Sequence, residues 1–247
     1  MSLGKAFKEE TLRKTFAKVF DRQSIQAIHA LASKGSLNLV EFVISTGKEA
    51  HVFRAVDKAG NFLAVKVYKV STSNFHNMQP YLQGDYRFKQ VRKEKRDIVH
   101  AWARKEYRNL RDSVRAGVKA PVPIAVKENV LVMEFIGSEG VASPRLKDVK
   151  SFNAESVYRQ VVENLARLTF TARLVHADLS EFNMLLQDNE KAWFIDFGQG
   201  LPLTHPKAQE FFTRDVRNLA GYFRKQGLRV SEESMRADIR DWKEKLA

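Results

Sequence analysis

Apolar positions along the chain follow two rhythms. Near the N-terminus, Leu12, Phe16, Val19 and Phe20 fall at helical spacing. Asp21 is a plausible N-cap for a second helix carrying Ile25, Ile28 and Leu31, and Gly35 is placed to stop it. The spacing predicts two short helices up to about Leu39. They either form half of a helix-turn-helix or pack on the domain beside them. From Glu41 the rhythm changes. Phe42-Val43-Ile44, Val52 to Val56 and Phe62 to Tyr68 are β-branched or aromatic runs, separated by turn signals at Gly47 and at Lys58-Ala59-Gly60-Asn61. Ser71 to Gln90 is polar and aperiodic, which predicts a long mobile loop. A basic helix is expected from Arg92 to Ala116, then a strand from Asn129 to Phe135. The remainder reads as mainly helical. Val157, Val161, Leu165 and Leu168 mark one helix, two short apolar runs lie between Leu174 and Phe197, and Pro206–Gln226 and Glu232–Leu246 close the chain.

Composition narrows the class. Hydrophobic residues make up 44% of the 247 positions, enough for a buried core and too many for a disordered chain. There is no cysteine, hence no disulfide framework and no thiolate metal site, which fits a reducing, cytoplasmic setting. No apolar run reaches the roughly 20 residues that span a bilayer, and Met1–Glu10 is too charged for a secretory signal. No membrane partner is expected. The net charge of +13 favours anionic partners, nucleic acid and phosphorylated ligands among them, with a merely solvated basic surface as the alternative.

The strongest chemical signal is a pair of motifs. His176-Ala177-Asp178-Leu179-Ser180-Glu181-Phe182-Asn183 fits H-x-D-L-x-x-x-N, and Asp196-Phe197-Gly198 is a D-F-G. Phosphoryl transfer needs one carboxylate to orient the attacking hydroxyl and accept its proton. It needs a second carboxylate and an amide oxygen to hold a hard cation against the phosphates. Between the motifs there is room for one short hairpin, with Met184-Leu185-Leu186 and Ala192-Trp193-Phe194-Ile195 as strands and Asp188-Asn189 in the turn. Upstream, Leu63-Ala64-Val65-Lys66 matches V-A-I-K, which makes Lys66 a phosphate ligand in need of an acidic partner; Glu106 is the first choice and Glu94 the alternative. Ser45-Thr46-Gly47-Lys48-Glu49-Ala50-His51-Val52 lies over G-x-G-x-x-G-x-V with one glycine retained, and its small residues would let backbone N–H groups approach phosphate. A Walker A reading of Gly47-Lys48 fails, because Phe42 holds the first glycine position and Glu49 the Ser/Thr position. Leu131 to Gly137 would be a hinge, with backbone groups of Glu134 and Ile136 facing adenine and Met133 lining the pocket; a buried edge strand is the alternative.

Together these segments, with Ile195-Asp196-Phe197-Gly198-Gln199-Gly200, resemble the RIO family of atypical protein kinases, most closely its type-1 branch in a minimal archaeal-like form. The resemblance implies an α+β, two-lobed protein-kinase-like fold. Its parts would be an N-terminal helical extension over residues 1–39, a small antiparallel β N-lobe over 40–135 with a mobile loop at 71–90, and a mainly helical, truncated C-lobe over 136–247. It implies ATP with Mg2+ (or Mn2+) as cofactors. Asp178 would be the catalytic acid/base, Asn183 and Asp196 the metal ligands, and Lys66 the phosphate ligand. Ser45, Thr46, Gly47, Lys48, Glu49, Val52, Glu106, Met133, Glu134, Ile136 and Glu181 would complete the nucleotide site. Family members act in maturation of the small ribosomal subunit, so ribosomal RNA and proteins are the implied partners. The aspartate at the Asp196 position is proposed in the family to accept phosphate.

Departures from ordinary kinases shape the expectation. Ala177 replaces the arginine of H-R-D, no A-P-E follows the D-F-G, and few residues follow Gly198. The expectation is a chain without a phosphorylation-ordered activation loop and without an ordinary peptide groove. Asp215 is expected either on a helix beneath the catalytic loop, accepting its backbone N–H groups, or in a surface salt bridge. Three functions fit: phosphotransfer to protein serine (or to the chain itself), ATP hydrolysis timing release from a ribosomal particle, and a non-catalytic, nucleotide-sensing RNA-binding scaffold. The intact set Lys66, Asp178, Asn183 and Asp196 argues against the third.

Overall fold

The computed structural model describes residues 21–70, 75–88 and 94–246. The expected helix carrying Leu12, Phe16, Val19 and Phe20 lies outside them. The described residues divide into two compact units. One takes those within Met1–Gln83, Arg87–Tyr107 and Val122–Phe135; the other takes Gly84–Tyr86, Arg108–Pro121 and those within Ile136–Ala247.

The first unit is built on a five-stranded antiparallel sheet: β1 (Leu39–Thr46), β2 (Ala50–Val56), β3 (Phe62–Tyr68), β4 (Pro123–Lys127) and β5 (Val130–Glu134), ordered β1-β2-β3-β5-β4. Helix α1 (Arg22–Ser33) covers one face. Asp21 caps it, accepting the Ser24 N–H at 2.8 Å, and Gly35 follows its end at φ +80°. The alternation of the strands then decides the core. Phe53, Ala55, Leu63, Val65, Val67, Val130 and Val132 pack under Ala27, Ile28 and Leu31. Lys66 stands between Val65 and Val67 and therefore emerges on the opposite face.

The sequence did not announce β4. It is an edge strand that begins on Pro123, where a missing N–H does no harm, and its residues are only partly buried. Residues 71–90, read as an irregular loop, contain helix α2 (Phe75–Leu82) and a 3-10 turn at Tyr86–Phe88. Met78 and Leu82, one helical turn apart, bury with Phe88 against Tyr68, Ile98 and Trp102. Two apolar anchors in a polar stretch suffice here because the partner surface is already aromatic. Helix α3 (Lys95–Arg115) follows; the expected start at Arg92 lies outside the described residues.

The second unit is mainly helical. Helix α4 (Ala154–Ala166) is capped by Asn153, which accepts the Ser156 N–H at 2.9 Å, and it continues as a π-helical turn over Arg167–Thr171. Helices α5 (Ala208–Lys225) and α6 (Glu232–Lys245) close the unit, with Tyr158 of α4 edge-on to Phe223 of α5 at 5.2 Å between ring centroids. Three short strand pairs fill the remainder of the described residues. β6 (Gly137–Ser138) pairs β7 (Val141–Ala142), and β8 (Leu174–Val175) pairs β11 (Leu201–Pro202). The expected hairpin is β9 (Met184–Gln187) with β10 (Lys191–Phe194). Its turn holds Asp188 and Asn189 at φ 54° and 55°, the left-handed pair that tight hairpins favour. Among the described residues, no helix is long and apolar enough to cross a membrane.

Candidate active site

In the first unit, the ammonium of Lys66 lies 2.9 Å from Glu106 Oε1, and both side chains are buried. Register explains the placement. Lys66 is opposite Val52 on one side and Leu131 on the other, so its side chain is set by the central strand of the sheet. The partner is Glu106 of α3 rather than Glu94. A buried charge pair of this kind needs good geometry to offset the loss of hydration.

The β1–β2 turn carries the expected phosphate loop. Thr46, Gly47 and Lys48 are exposed, while Ser45, Glu49 and Val52 are partly buried. The N–H of Gly47 donates to Ala50 O at 2.9 Å and closes the turn, which removes that donor from the set that could face a phosphate. Lys69, which the sequence reading passed over, donates from Nζ to Gly47 O at 2.7 Å and sets a cation against the turn. At the expected hinge, the Glu134 N–H donates to Val122 O at 2.8 Å. That group is engaged by the edge of the sheet, so an adenine contact at Glu134 would fall to its carbonyl. Met133 pairs with Ala64 and Pro123 within the sheet. In the other unit, Ile136 O accepts the Ser143 N–H at 3.0 Å.

In the second unit the two motifs converge. Asn183 Nδ2 donates to Asp178 Oδ2 at 3.0 Å and to Asp178 O at 2.8 Å. Gln199 Nε2 donates to the same Oδ2 at 3.0 Å. Two amides thus hold one carboxylate oxygen. The amide of Asn183 is oriented by this contact, which leaves its oxygen as the ligating end. Asp196 is exposed and stands at φ 65°, ψ 62°, a left-handed conformation that costs a non-glycine residue about 1–2 kcal/mol. Burial pushes the Asp178 carboxyl up to about 6; the negative charge of Asp196 adds to the shift, and the Asn183 hydrogen bond and Arg214 oppose it.

The loop that carries Asp178 is tied down from below. His176 Nε2 lies 3.0 Å from Ile195 O, and its ring packs on Phe197 at 4.7 Å, which joins the two motifs directly. Asp215 is fully buried and accepts the N–H groups of Ala177 at 2.8 Å and Leu179 at 2.9 Å. Of the two expectations for Asp215, the capping role is the one observed. Arg214 donates to Ala177 O. Ala177, at the position of the usual arginine, stands at φ 65°. Asn109 Nδ2 clamps the turn after the D-F-G, donating to Phe197 O at 2.8 Å and Gly200 O at 2.9 Å. A Cβ on Gly200 would meet that nitrogen at 2.8 Å, so the close approach requires glycine here.

Comparison with known proteins identifies this arrangement. The RIO domain model matches residues 51–236. The chain belongs to the RIO family. The RIO-type serine/threonine-protein kinase Rio1 of Haloferax volcanii is 43% identical over 217 residues, 88% of this chain and 74% of that protein. Its counterpart from Thermoplasma acidophilum is 42% identical over 189 residues, 76% of this chain and 98% of that protein. By this likeness the chain is a RIO-type serine/threonine-protein kinase. Its fold is protein-kinase-like: a crystal structure of the Rio2 kinase–ADP/Mg2+–phosphoaspartate complex from Chaetomium thermophilum aligns with a TM-score of 0.67 at 20% identity, over 92% of this chain and 74% of that one.

Three residues of this RIO domain escaped the sequence reading as site residues: Gln199, Asn109 and Lys69. Gln199 had a signal in hindsight, an amide three positions after Asp196. Asn109 is a polar residue in the middle of a helix, and only burial distinguishes it from a solvated one. Lys69 had no signal beyond its place just past β3.

Proposed function

We propose that the chain is a magnesium-dependent phosphotransferase that uses ATP, in which Asp178 receives the proton of the attacking hydroxyl or water. The observation that carries this reading is the Asp178 carboxylate held at Oδ2 by Asn183 and Gln199, with Asp196 close enough for its charge to be felt.

The donor set suits magnesium. Among the described residues, no group of three or more His, Asp or Glu side chains could hold a metal alone. The amide oxygen of Asn183 and the carboxylate of Asp196 are hard oxygen donors, and two protein ligands leave the remaining positions to phosphate oxygens and water, as magnesium prefers. A divalent cation there would also relieve the repulsion between the two carboxylates. When bound, it would neutralise charge on the phosphates. In the first unit, Lys66 held by Glu106 would contact phosphate, with Ser45, Thr46, Lys48, Glu49 and Val52 beside it. Met133 and Glu134, in the same unit, would face the base. The ADP/Mg2+ of the Rio2 complex named above supports this assignment by likeness of fold.

Asp178 has two acceptors to choose from. A serine hydroxyl gives a protein kinase; water, attacking a phosphoryl group directly or one carried by Asp196, gives an ATPase. The short connection from the D-F-G to α5, with only β11 between them, leaves water a second acceptor beside the serine of the kinase reading. A role in small ribosomal subunit maturation is part of this proposal, as the family resemblance implies.

The test uses ATP labelled at the γ-phosphate, with wild type, Asp178→Ala and Asp196→Ala. Turnover in Asp178→Ala should fall by about 10²–10⁴-fold, the scale of a positioned base, with ATP still bound. Label on the protein that hydroxylamine removes, and that Asp196→Ala abolishes, supports an aspartyl-phosphate ATPase. Hydroxylamine-stable label on serine supports a kinase. Bound ATP with neither label nor phosphate release would overturn both.

A further inference from the structure

Phe182 sits inside the catalytic loop, immediately before Asn183, yet the residue is 50% exposed. Its backbone is not loose. The N–H of Phe182 faces Ser180 Oγ at 3.4 Å, and the 3-10 turn Glu181–Asn183 leads straight into β9. A cation stands over the ring: the ammonium of Lys147 lies 4.9 Å from its centroid. Lys147 belongs to a second 3-10 turn, Leu146–Asp148, which is anchored by the buried side chain of Leu146. The residues just before it are tied to β9, where Leu186 N–H donates to Pro144 O at 3.0 Å and Arg145 bridges to Leu185. Two short, pinned turns therefore present an aromatic face and an ammonium side by side. Lys147 also lies 3.6 Å from Asp148, an exposed pair of little strength. The surrounding run Arg145-Leu146-Lys147-Asp148-Val149-Lys150 holds three cations against one anion.

We infer that Phe182 and Lys147 form a docking platform for the acceptor polypeptide, selecting a serine-bearing segment that has an apolar side chain and a carboxylate close to the serine. This rests on the kinase reading above and specifies its substrate class. The location is set by covalent geometry. Asn183 touches Asp178 through both its carboxylate and its carbonyl, so the residue before Asn183 borders the place where an acceptor hydroxyl must come. The chemistry is set by the pair. An exposed ring face gains from apolar contact, and an ammonium whose carboxylate neighbour, Asp148, is an exposed side chain at 3.6 Å gains from a second carboxylate brought beside it.

The test is a binding measurement that does not depend on turnover. Two fluorescent decapeptides, each with alanine in place of the acceptor serine, differ only in whether a leucine is followed by aspartate or by lysine. The full chain should bind the aspartate peptide in preference. Phe182→Ala should weaken it by roughly fivefold, the scale of one ring contact with one exposed charge pair. Lys147→Glu should reverse the preference toward the lysine peptide, with melting temperature unchanged. Binding of neither peptide up to millimolar concentration, or equal binding by wild type and both variants, would overturn the proposal. So would an oligouridylate of ten nucleotides that binds where the peptides do not and is released by Phe182→Ala, since that would mark the ring as a base-stacking site. A loss of γ-phosphate transfer with peptide selectivity intact would instead count against the kinase reading alone.

Discussion

Asp215 accepts the N–H of Ala177 at 2.8 Å while Ala177 stands at φ 65°. The strained residue and its acceptor form a single device. The left-handed turn at Ala177 points its N–H downward, and the buried carboxylate of α5 both satisfies that donor and fixes the turn.

Removal of Asp215 should therefore act on folding as well as on the site. Asp215→Ala leaves the buried N–H groups of Ala177 and Leu179 without this acceptor, and each orphaned donor costs about 1–3 kcal/mol. A loss of roughly 2–5 kcal/mol in urea unfolding is expected. Ala177→Gly should change stability by less than about 1 kcal/mol, because relief of the left-handed strain is offset by a more flexible unfolded chain. A large loss in Ala177→Gly would show that the methyl group, buried at this position, matters more than the strain.

The same carboxyl gives stability a pH dependence of definite sign. Burial pushes Asp215 up to about 7 against the opposing pull of the two N–H groups, and burial pushes Asp178 up to about 6. A carboxyl whose pKa is raised on folding holds its proton more tightly in the folded state. Its contribution is fully present below the unfolded value near 4 and is lost as pH rises through the folded value. Unfolding free energy should thus decline between about pH 4 and 7, and Asp215→Asn should flatten the upper part of that decline. A wild-type curve that rises across this window would contradict the burial argument.

Catalysis should run the other way with pH. If Asp178 is the proton acceptor proposed above, it works only when ionised, so kcat/KM should rise through a midpoint near 6. Gln199→Ala removes a hydrogen-bond donor from the ionised form and should move that midpoint upward. It should also slow turnover by about tenfold while ATP affinity is unchanged, on the scale of one hydrogen bond to a charge. A fall in turnover with no movement of the midpoint would reduce Gln199 to packing.

Much of this was legible in the residues. The fold was readable because the nearly continuous apolar run Phe62–Tyr68 marks a strand buried on both faces, and helical runs such as Val157–Leu165 have a single consistent face. The pairing of Lys66 with Glu106 was readable because V-A-I-K sets a requirement for an acid on a helix. The partners of Asp178 were harder. Asn183 lay within the motif, but Gln199 reaches Asp178 only because the β9–β10 hairpin folds the chain back. Asn109 is more remote still, meeting Phe197 and Gly200 across ninety residues of sequence in round terms. Helix α2 escaped notice because its burial depends on Trp102 and Ile98, residues that a local window does not contain.

The Lys66–Glu106 pair allows a sharper separation of structure from function. Lys66→Met leaves the buried Glu106 carboxylate without its cation, which typically costs 3–5 kcal/mol. Adding Glu106→Gln should restore most of that stability, because a neutral amide tolerates burial where a lone charge does not. ATP affinity, measured by calorimetry with magnesium, should stay low in both. Recovery of ATP binding in the double variant would remove Lys66 from the phosphate-binding role.

The basic charge makes the last prediction, and α3 limits it. Not every cation of this basic helix is available, because Lys105 is fully buried and so cannot meet RNA. The outward cations Arg108, Arg111 and Arg115 recur at three- and four-residue spacing and so share one face. If ribosomal RNA binds this face, affinity should fall steeply as salt rises from about 50 to 200 mM, because each phosphate contact releases condensed counterions. Arg108→Ala and Arg115→Ala should each lower the slope of log K against log salt by about 1 and weaken all RNA sequences alike. Lys105→Ala should leave the slope untouched, since a buried ammonium releases no counterions. A slope unmoved by the arginine variants would place the RNA contact elsewhere on the chain.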